Sequence, residues 1–224
     1  MEGDVAGDFH DVVDLHDGRA ALVVGDAPGF GPVAAEIADE LRAEVRRGFR
    51  ETDDPVEILE RLDERLTRRP ELTIATAVCA VVDTNERTVR IANAGHPPVV
   101  ITDHSGAAML NGDADPLLGM PARRRLVTRP LAHGGAMHLY TDGLVERRGT
   151  PLDESLRELV RLCRDLDGSS AAELARRTTE RFGAPADDAT VLSVTWAPAA
   201  ASPAGCSCPD IDDVRPREEI ASRA

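Results

Sequence analysis

The chain has 224 residues, a formal net charge of −14 at pH 7 and a pI near 4.8. Hydrophobic residues make up 42% but aromatic residues only 3%, so the core must be built from aliphatic side chains. The length suits one sizeable domain or two small ones. Because an acidic surface repels phosphate backbones and anionic lipid headgroups, we expect neither nucleic acid nor a membrane as a partner.

The N-terminal residues show no basic segment followed by an apolar one, so no signal peptide is predicted. The longest apolar run, residues 73–82, is about half the roughly 20 residues that a membrane-spanning helix needs. We therefore expect a cytoplasmic protein. Cys79 and Cys163 lie in apolar segments and are interpreted as small buried hydrophobes. Cys206 and Cys208 form a single CxC motif, which is a weak indicator of metal or redox chemistry.

The first half of the chain predicts strands and two helices. A short strand starts near Asp8, and residues 19–25 form a buried strand. A helix follows the Gly- and Pro-rich turn at residues 29–32, with an apolar residue on one face at nearly every turn. A second helix covers residues 55–69, with Asp53 or Asp54 as its N-cap.

The second half predicts a block of strands, two helices and a final strand. Three hairpins are expected, each with a short turn between two apolar runs. They join residues 72–83 to 88–94, residues 98–103 to 106–110, and residues 123–132 to 136–142. The helices are predicted over residues 152–166 and 170–182, and the last strand over residues 189–196.

The order of the elements indicates how the chain is organised. Strands and helices are segregated rather than alternating, which favours an α+β layered domain over a series of βαβ units. From about residue 197 the composition becomes rich in Ala, Pro, Ser and charge, without periodicity. We therefore predict one domain over residues 1–197 and a disordered tail over residues 198–224.

Aspartates stand at strand ends in four separate places: Asp8, Asp26, Asp142 and the pair Asp187–Asp188. Carboxylates brought together repel one another, and divalent cations remove that cost. Oxygen ligands suit Mg²⁺ or Mn²⁺ better than zinc, and two such ions about 4 Å apart can share a hydroxide that attacks a phosphate ester. The alternative is that each aspartate is a turn or cap residue, and spacing along the chain does not show convergence in space.

Six strings occur in order along residues 7–195: GDFHDVVDL, GDAPGFGPVAA, IANAGHPPVV, DPLLGM, YTDGLVE and DDATVL. Together they resemble the PPM-type metal-dependent serine/threonine protein phosphatases, in the bacterial SpoIIE/RsbU-like branch. The resemblance implies an α-β-β-α sandwich, in which two antiparallel sheets are flanked by helix pairs. Few residues precede Gly7, so we expect either that the first strand of the family is missing or that the true start lies further upstream.

The resemblance also assigns roles to the aspartates. It implies that Asp8 reaches the metal centre, that Asp26 bridges two Mn²⁺ or Mg²⁺ ions, and that the backbone carbonyl of Ala27 completes one shell. Asp142 and Asp187 match further metal ligands, whereas Asp188 is not expected to touch the metal. The hydroxide that bridges the ions would be the nucleophile, so these four aspartates form the predicted catalytic site.

Other residues receive weaker interpretations. His96 lies in the loop NAGHPP, which matches a family loop, and we favour a structural role for it in a rigid turn. Glu36 and Glu40 follow the Asp26 loop on a helix, where exposed carboxylates are the commoner case. His10 stands where the family often has tyrosine, and we expect it to be tolerated there.

The resemblance favours one function and leaves others open. The leading prediction is a phosphatase acting on phosphoserine or phosphothreonine in a protein, with a STAS-domain anti-sigma-factor antagonist as the expected substrate and a homodimer as a compatible state. The alternative is a non-catalytic phosphatase-fold module that binds a partner, because the loop APGFG departs from the family pattern. A third hypothesis is that the chain is an unrelated acidic metal-binding protein.

Overall fold

The computed structural model describes residues 7–110, 115–120, 122–132, 134–182 and 189–196. Within these ranges the chain forms strands, four α-helices and a short 3₁₀ turn at Asp142–Leu144. The elements in chain order are β1 (Asp8–His16), β2 (Arg19–Asp26), α1 (Pro32–Gly48), α2 (Pro55–Thr67), β3 (Thr76–Asp83), β4 (Thr88–Ala94), β5 (Val99–Asp103), β6 (Gly106–Leu110), β7 (Val127–Pro130), β8 (Gly135–Tyr140), α3 (Leu152–Asp165), α4 (Ala171–Phe182) and β9 (Val191–Trp196).

Two antiparallel sheets form the centre of the molecule. The first has five strands in the order β1-β2-β3-β4-β7, and the second has four in the order β6-β5-β8-β9. Helices α1 and α2 cover the first sheet, and α3 and α4 cover the second. This is the α-β-β-α sandwich that the sequence predicts. Within the described residues, β1 is an edge strand, while residues 1–6 lie outside them.

Alternation along the strands divides the core into layers. On β2, Leu22 and Val24 pack into the inter-sheet core together with Met137 of β8. Ala21 and Val23, which alternate with them along the strand, face the opposite side and pack with α1 and α2. Because side chains on a strand alternate between faces, the next residue on the inter-sheet side of β2 is Asp26. This period places a carboxylate at the rim of the sandwich.

The caps of the helices agree with the sequence. Asp54, one of the two predicted N-cap residues of α2, accepts a hydrogen bond from the backbone N–H of Val56 at 2.9 Å. Helix α4 has a comparable contact, because Ser170 Oγ accepts from the N–H of Glu173 at 3.2 Å. Helix α1 begins with Pro32 directly after Gly31, whose φ of 78° suits glycine.

The predicted hairpin between residues 123–132 and 136–142 is wrong. Strand β7 pairs with β4 in the first sheet, whereas β8 pairs with β5 and β9 in the second. The short connection crosses between sheets, and Leu131 in it is buried in the inter-sheet core. Its N–H donates to the carbonyl of Arg87 at 2.8 Å, and the Arg87 guanidinium returns a hydrogen bond at 2.8 Å. The other two hairpins are confirmed.

The remaining differences lie at element ends. Strand β3 starts at Thr76 rather than at residue 72, because Leu72 is exposed and Ala75 makes only an isolated bridge to Leu118. In the ranges that the structure covers, no helix is both long and apolar enough to span a membrane. The predicted tail at 198–224 and its CxC motif lie outside the described residues.

Candidate functional site

Asp8 and Asp26 lie side by side at one end of the first sheet. They are register partners on the antiparallel strands β1 and β2, and both are half-buried. Residues directly opposite on such strands point to the same face. Both carboxylates therefore face the second sheet, as Leu22 and Val24 do further along the strand.

The backbone around this pair is closely packed. The N–H of Ala27 donates to the carbonyl of Gly7 at 3.0 Å, which extends the pairing one step beyond the strands. A Cβ at Gly7 would collide with the carbonyl oxygen of Ala27 and lie 3.0 Å from Asp26 Oδ1. Glycine is therefore required here so that the backbone can approach Asp26 and Ala27, the residues predicted to bind metal.

Thr141 connects the second sheet to this pair. Its hydroxyl donates to Asp8 Oδ2 at 2.8 Å and accepts from the backbone N–H of Thr190 at 2.9 Å. The N–H of Thr141 donates to the carbonyl of Thr190 at 3.0 Å, and the side chain is fully buried. Asp142, the next residue, is thereby held at the same rim as Asp8.

Asp142 opens a 3₁₀ turn with its side chain exposed. Its carbonyl accepts from the N–H groups of Val145 and Glu146, both at 2.8 Å, so the backbone there is fixed. Three of the four predicted aspartates thus lie at one rim of the sandwich. Asp187 and its neighbour Asp188 lie outside the described residues, although Thr190, shortly after them, is bound to Thr141.

The donors at this rim suit a hard divalent cation. They are carboxylate and carbonyl oxygens, which Mg²⁺ and Mn²⁺ prefer, rather than the Cys and His sets typical of zinc. Among the residues that the structure places, no group of three or more Asp, Glu, His or Cys is arranged to hold a metal ion. The described residues therefore form no complete metal shell by themselves, and the assignment of Asp8 and Asp26 as metal ligands stays a prediction.

A buried histidine lies beside the pair. Thr76, the register partner of Asp26 on β3, forms a hydrogen bond of 2.8 Å between its Oγ1 and Nδ1 of His96. Burial lowers the pKa of His96 to about 3, so the imidazole is neutral at pH 7. Its Nε2 is buried as well.

The loop that carries His96 is rigid. The side-chain amide of Asn93 donates to the carbonyl of His96 at 2.9 Å and accepts from its N–H at 2.8 Å. Gly95 adopts φ 66°, and a Cβ there would collide with the side chain of Leu117. These contacts agree with the structural role that the sequence favours for His96.

Other candidates lie away from the pair or are already engaged. Glu36 is exposed, and Glu40 bridges to α2 through Arg65 at 3.1 Å and Arg69 at 2.6 Å. His10 is half-buried on the same face of β1 as Asp8, and burial lowers its pKa. None of the three contacts Asp8 or Asp26 through a described hydrogen bond or ion pair.

An open cavity of about 490 Å³ adjoins Asp142. Arg147 in its wall donates to Ser155 Oγ at 3.2 Å and lies 4.8 Å above the ring of Phe182. Arg148, also in the wall, is exposed. The wall of the cavity thus carries both signs of charge, since Asp142 and Glu146 line it together with the two arginines. Arg147 also pairs with Glu158 at 2.5 Å.

The sequence profile of the family described as Stage II sporulation protein E (SpoIIE) matches residues 16–197. The chain belongs to the SpoIIE family. Phosphoserine phosphatase RsbP of Bacillus subtilis (strain 168) is 25% identical over 150 residues, which cover 64% of this chain and 37% of RsbP.

Solved structures agree with this membership. The RsbU and RsbW domains of Rv1364c from Mycobacterium tuberculosis match with a TM-score of 0.79 and 30% identity, over 88% of this chain and 58% of that one. The SiaA-PP2C domain of Pseudomonas aeruginosa matches with a TM-score of 0.73 and 24% identity, over 84% of this chain and 80% of that one, and shows the fold alone. The chain therefore spans less than two thirds of the length of RsbP and of the Rv1364c structure.

Proposed function

We propose that this protein is a metal-dependent phosphatase that hydrolyses phosphoserine or phosphothreonine in a protein substrate. The observation that carries the proposal is the register pairing of Asp8 with Asp26, with Asp142 held at the same rim through Thr141. Membership of the SpoIIE family and similarity to a phosphoserine phosphatase support it.

We assign the metal site to Asp8, Asp26, the carbonyl of Ala27, Asp142 and Asp187. When bound, two Mn²⁺ or Mg²⁺ ions would supply a hydroxide nucleophile and offset the charge of the phosphate. The chain's own residues then have defined tasks. The Asp8 and Asp26 carboxylates would hold the ions, Thr141 donates a hydrogen bond to Asp8, and the cavity beside Asp142 would receive the chain segment around the phosphoserine.

The substrate we propose is a STAS-domain anti-sigma-factor antagonist, in a pathway that controls a sigma factor from the cytoplasm. The names of two relatives support a serine phosphatase, while the STAS domain itself follows from the family resemblance. RsbP is a phosphoserine phosphatase, and the Rv1364c structure joins an RsbU domain to an RsbW domain. A homodimer is compatible with this role.

The first test is Mn²⁺-dependent hydrolysis of p-nitrophenyl phosphate by the full chain. Asp26→Asn and Asp142→Asn are each expected to lower turnover by more than about 100-fold, because they remove a charged ligand from the metal shell. Asp39→Asn is the matched control, since Asp39 lies on the exposed side of α1 and pairs with Arg42. Turnover that persists in both site variants, or without added metal, would contradict the proposal.

A second candidate is a non-catalytic module that binds a protein through the same rim. The loop after Asp26 favours it, because Phe30 and Val33 expose 83% and 64% of their surface beside the site. A contact surface needs a contiguous apolar patch, to which these two side chains would contribute. A folded chain that binds Mn²⁺ stoichiometrically but turns over no phosphate ester would select this function over the phosphatase.

A further inference from the structure

Among the described residues, the Thr141 side chain connects Asp8 by a hydrogen bond to the segment that carries Asp142. We infer that Thr141 is a positioning residue for the metal site: its hydroxyl sets the orientation of the Asp8 carboxylate and holds the two sheets together at the rim. The inference rests on the proposed function, because it assumes that Asp8 binds metal.

The Thr141 hydroxyl both donates and accepts a hydrogen bond. It has one hydrogen to donate, which goes to Asp8 Oδ2 at 2.8 Å, and it accepts the N–H of Thr190 at 2.9 Å. A hydroxyl that accepts one hydrogen bond becomes a better donor in the next. The chain from Thr190 through Thr141 therefore strengthens the bond to Asp8.

Burial makes this contact specific. Thr141 is fully buried, so water does not compete for the hydroxyl. A hydrogen bond to an ionised carboxylate is about twice as strong as one between neutral groups. A bond to Oδ2 restrains the Asp8 carboxylate, and partners that orient metal ligands in this way commonly affect affinity by about 10- to 100-fold.

The position of Thr141 along the chain gives it a second task. It follows β8 of the second sheet and directly precedes Asp142, while Asp8 belongs to the first sheet. Thr190 lies just before β9, on the segment that follows the predicted ligand Asp187. One hydroxyl thus connects three of the four segments on which predicted ligands lie, and the segment of Asp26 and Ala27 is the fourth.

A competing explanation is that Thr141 only satisfies the buried N–H of Thr190. That role predicts a loss of stability when the hydroxyl is removed, without a change in metal affinity of the folded protein. The two explanations are separated by measuring metal binding directly rather than activity alone.

The experiment compares four variants of the full chain with the wild type. Thr141→Val removes the hydroxyl at nearly constant volume, Thr141→Ser keeps it, and Thr141→Cys keeps a weak donor of similar size. Thr102→Val is the matched control, because Thr102 is also fully buried in the second sheet but its Oγ1 has no partner in the described residues. For each, the Mn²⁺ Kd is measured by calorimetry, folding by circular dichroism, and turnover with p-nitrophenyl phosphate.

We expect Thr141→Val to weaken Mn²⁺ binding by about 10- to 100-fold, with Thr141→Ser within about twofold of the wild type and Thr102→Val unchanged. If Thr141→Val does not fold, Thr141→Cys decides, and an intermediate Kd is expected. A folded Val or Cys variant that binds Mn²⁺ as the wild type does would overturn the inference.

Failure of the proposed function has a different signature. A wild type that binds Mn²⁺ without turnover rejects the phosphatase but still tests Thr141 through the Kd values. A wild type that does not bind Mn²⁺ at all rejects the metal site and, with it, both proposals.

Discussion

At the scale of single residues, His138 shows how burial controls a charge. It lies on β8 beneath the α3–α4 layer, with Nδ1 2.9 Å from Ser193 Oγ, and is 2% exposed. Burial lowers its pKa to about 4, below the value of about 6.5 that an unfolded chain shows. Between these values the unfolded state binds one more proton, so the free energy of unfolding falls as the pH decreases.

His138→Gln is expected to flatten this dependence. Above pH 6.5 the histidine is neutral in both states, so its effect appears only as the pH falls from about 6.5 towards about 4. Urea titrations between pH 5 and 6 measure this. The free energy of unfolding of the variant should change by about 1.4 kcal/mol per pH unit less than that of the wild type. His104→Gln, at an exposed position, is the control and should leave the slope nearly unchanged. Identical slopes for wild type and His138→Gln would contradict the prediction.

The sequence could predict the aspartates but not the residues that orient them. Asp8, Asp26 and Asp142 stand at strand ends in recognisable strings, so their positions were accessible without a structure. The hydrogen bond from Thr141 to Asp8 could not be predicted from the sequence, because it joins residues 133 positions apart. The only available signal was the threonine that precedes the aspartate in YTDGLVE.

At the scale of elements, a buried ion pair attaches the loop at residues 115–120 to α2. Arg124 is fully buried, and its Nη2 lies 2.8 Å from both carboxylate oxygens of Asp63. Asp63 also accepts the N–H of Gly119 at 2.9 Å, while Arg124 donates to the carbonyls of Pro116 and Leu117. This network holds the loop where Leu118 packs into the core of the α1–α2 layer.

Breaking this pair from one side is expected to be costly. Arg124→Met leaves the Asp63 carboxylate without its ionic partner and should lower the free energy of unfolding by about 3–5 kcal/mol. The double variant Asp63→Leu/Arg124→Met should recover part of that loss, because no unpaired charge stays buried, although the Gly119 N–H loses its acceptor. Arg157→Met in the exposed pair with Asp153 is the control, expected within about 0.5 kcal/mol of the wild type in urea unfolding. Equal losses in the single and double variants would refute this account.

The elements also show where sequence patterns reach their limit. Helix bounds were predicted within a few residues, since caps such as Asp54 and a helical apolar period are local signals. The pairing of β7 was not, because a short polar turn between two strands looks the same whether it closes a hairpin or crosses between sheets. The burial of Leu131 decides that choice, and burial of a single leucine in a turn has no local signature.

At the scale of the whole molecule, the net charge of −14 acts on stability. Repulsion among excess carboxylates opposes the compact state, and salt screens it over about 8 Å at physiological ionic strength. We expect the free energy of unfolding at pH 7 to rise when KCl is increased from 10 to 150 mM. Urea titrations at both concentrations measure this, with sucrose at matched osmolality as the control. A decrease would mean that exposed ion pairs outweigh the net repulsion.

The layered architecture was predictable from the order of strands and helices, because segregated elements favour separate layers. The relative placement of the two sheets was not, since it depends on how Leu22, Val24 and Met137 fit together in the inter-sheet core. The assignment of each strand to a sheet follows from that packing.

The division of the aspartates between two sheets has a thermodynamic consequence. Asp8 and Asp26 belong to the first sheet and Asp142 follows a strand of the second, so neither sheet alone carries the set. A cation that needs all of them binds only the fully packed sandwich and shifts the folding equilibrium towards it. If the proposed ligands bind a cation, a substitution that loosens the inter-sheet core would weaken that binding from a distance. The packing of the two sheets and the affinity for the cation would then depend on the same folding equilibrium.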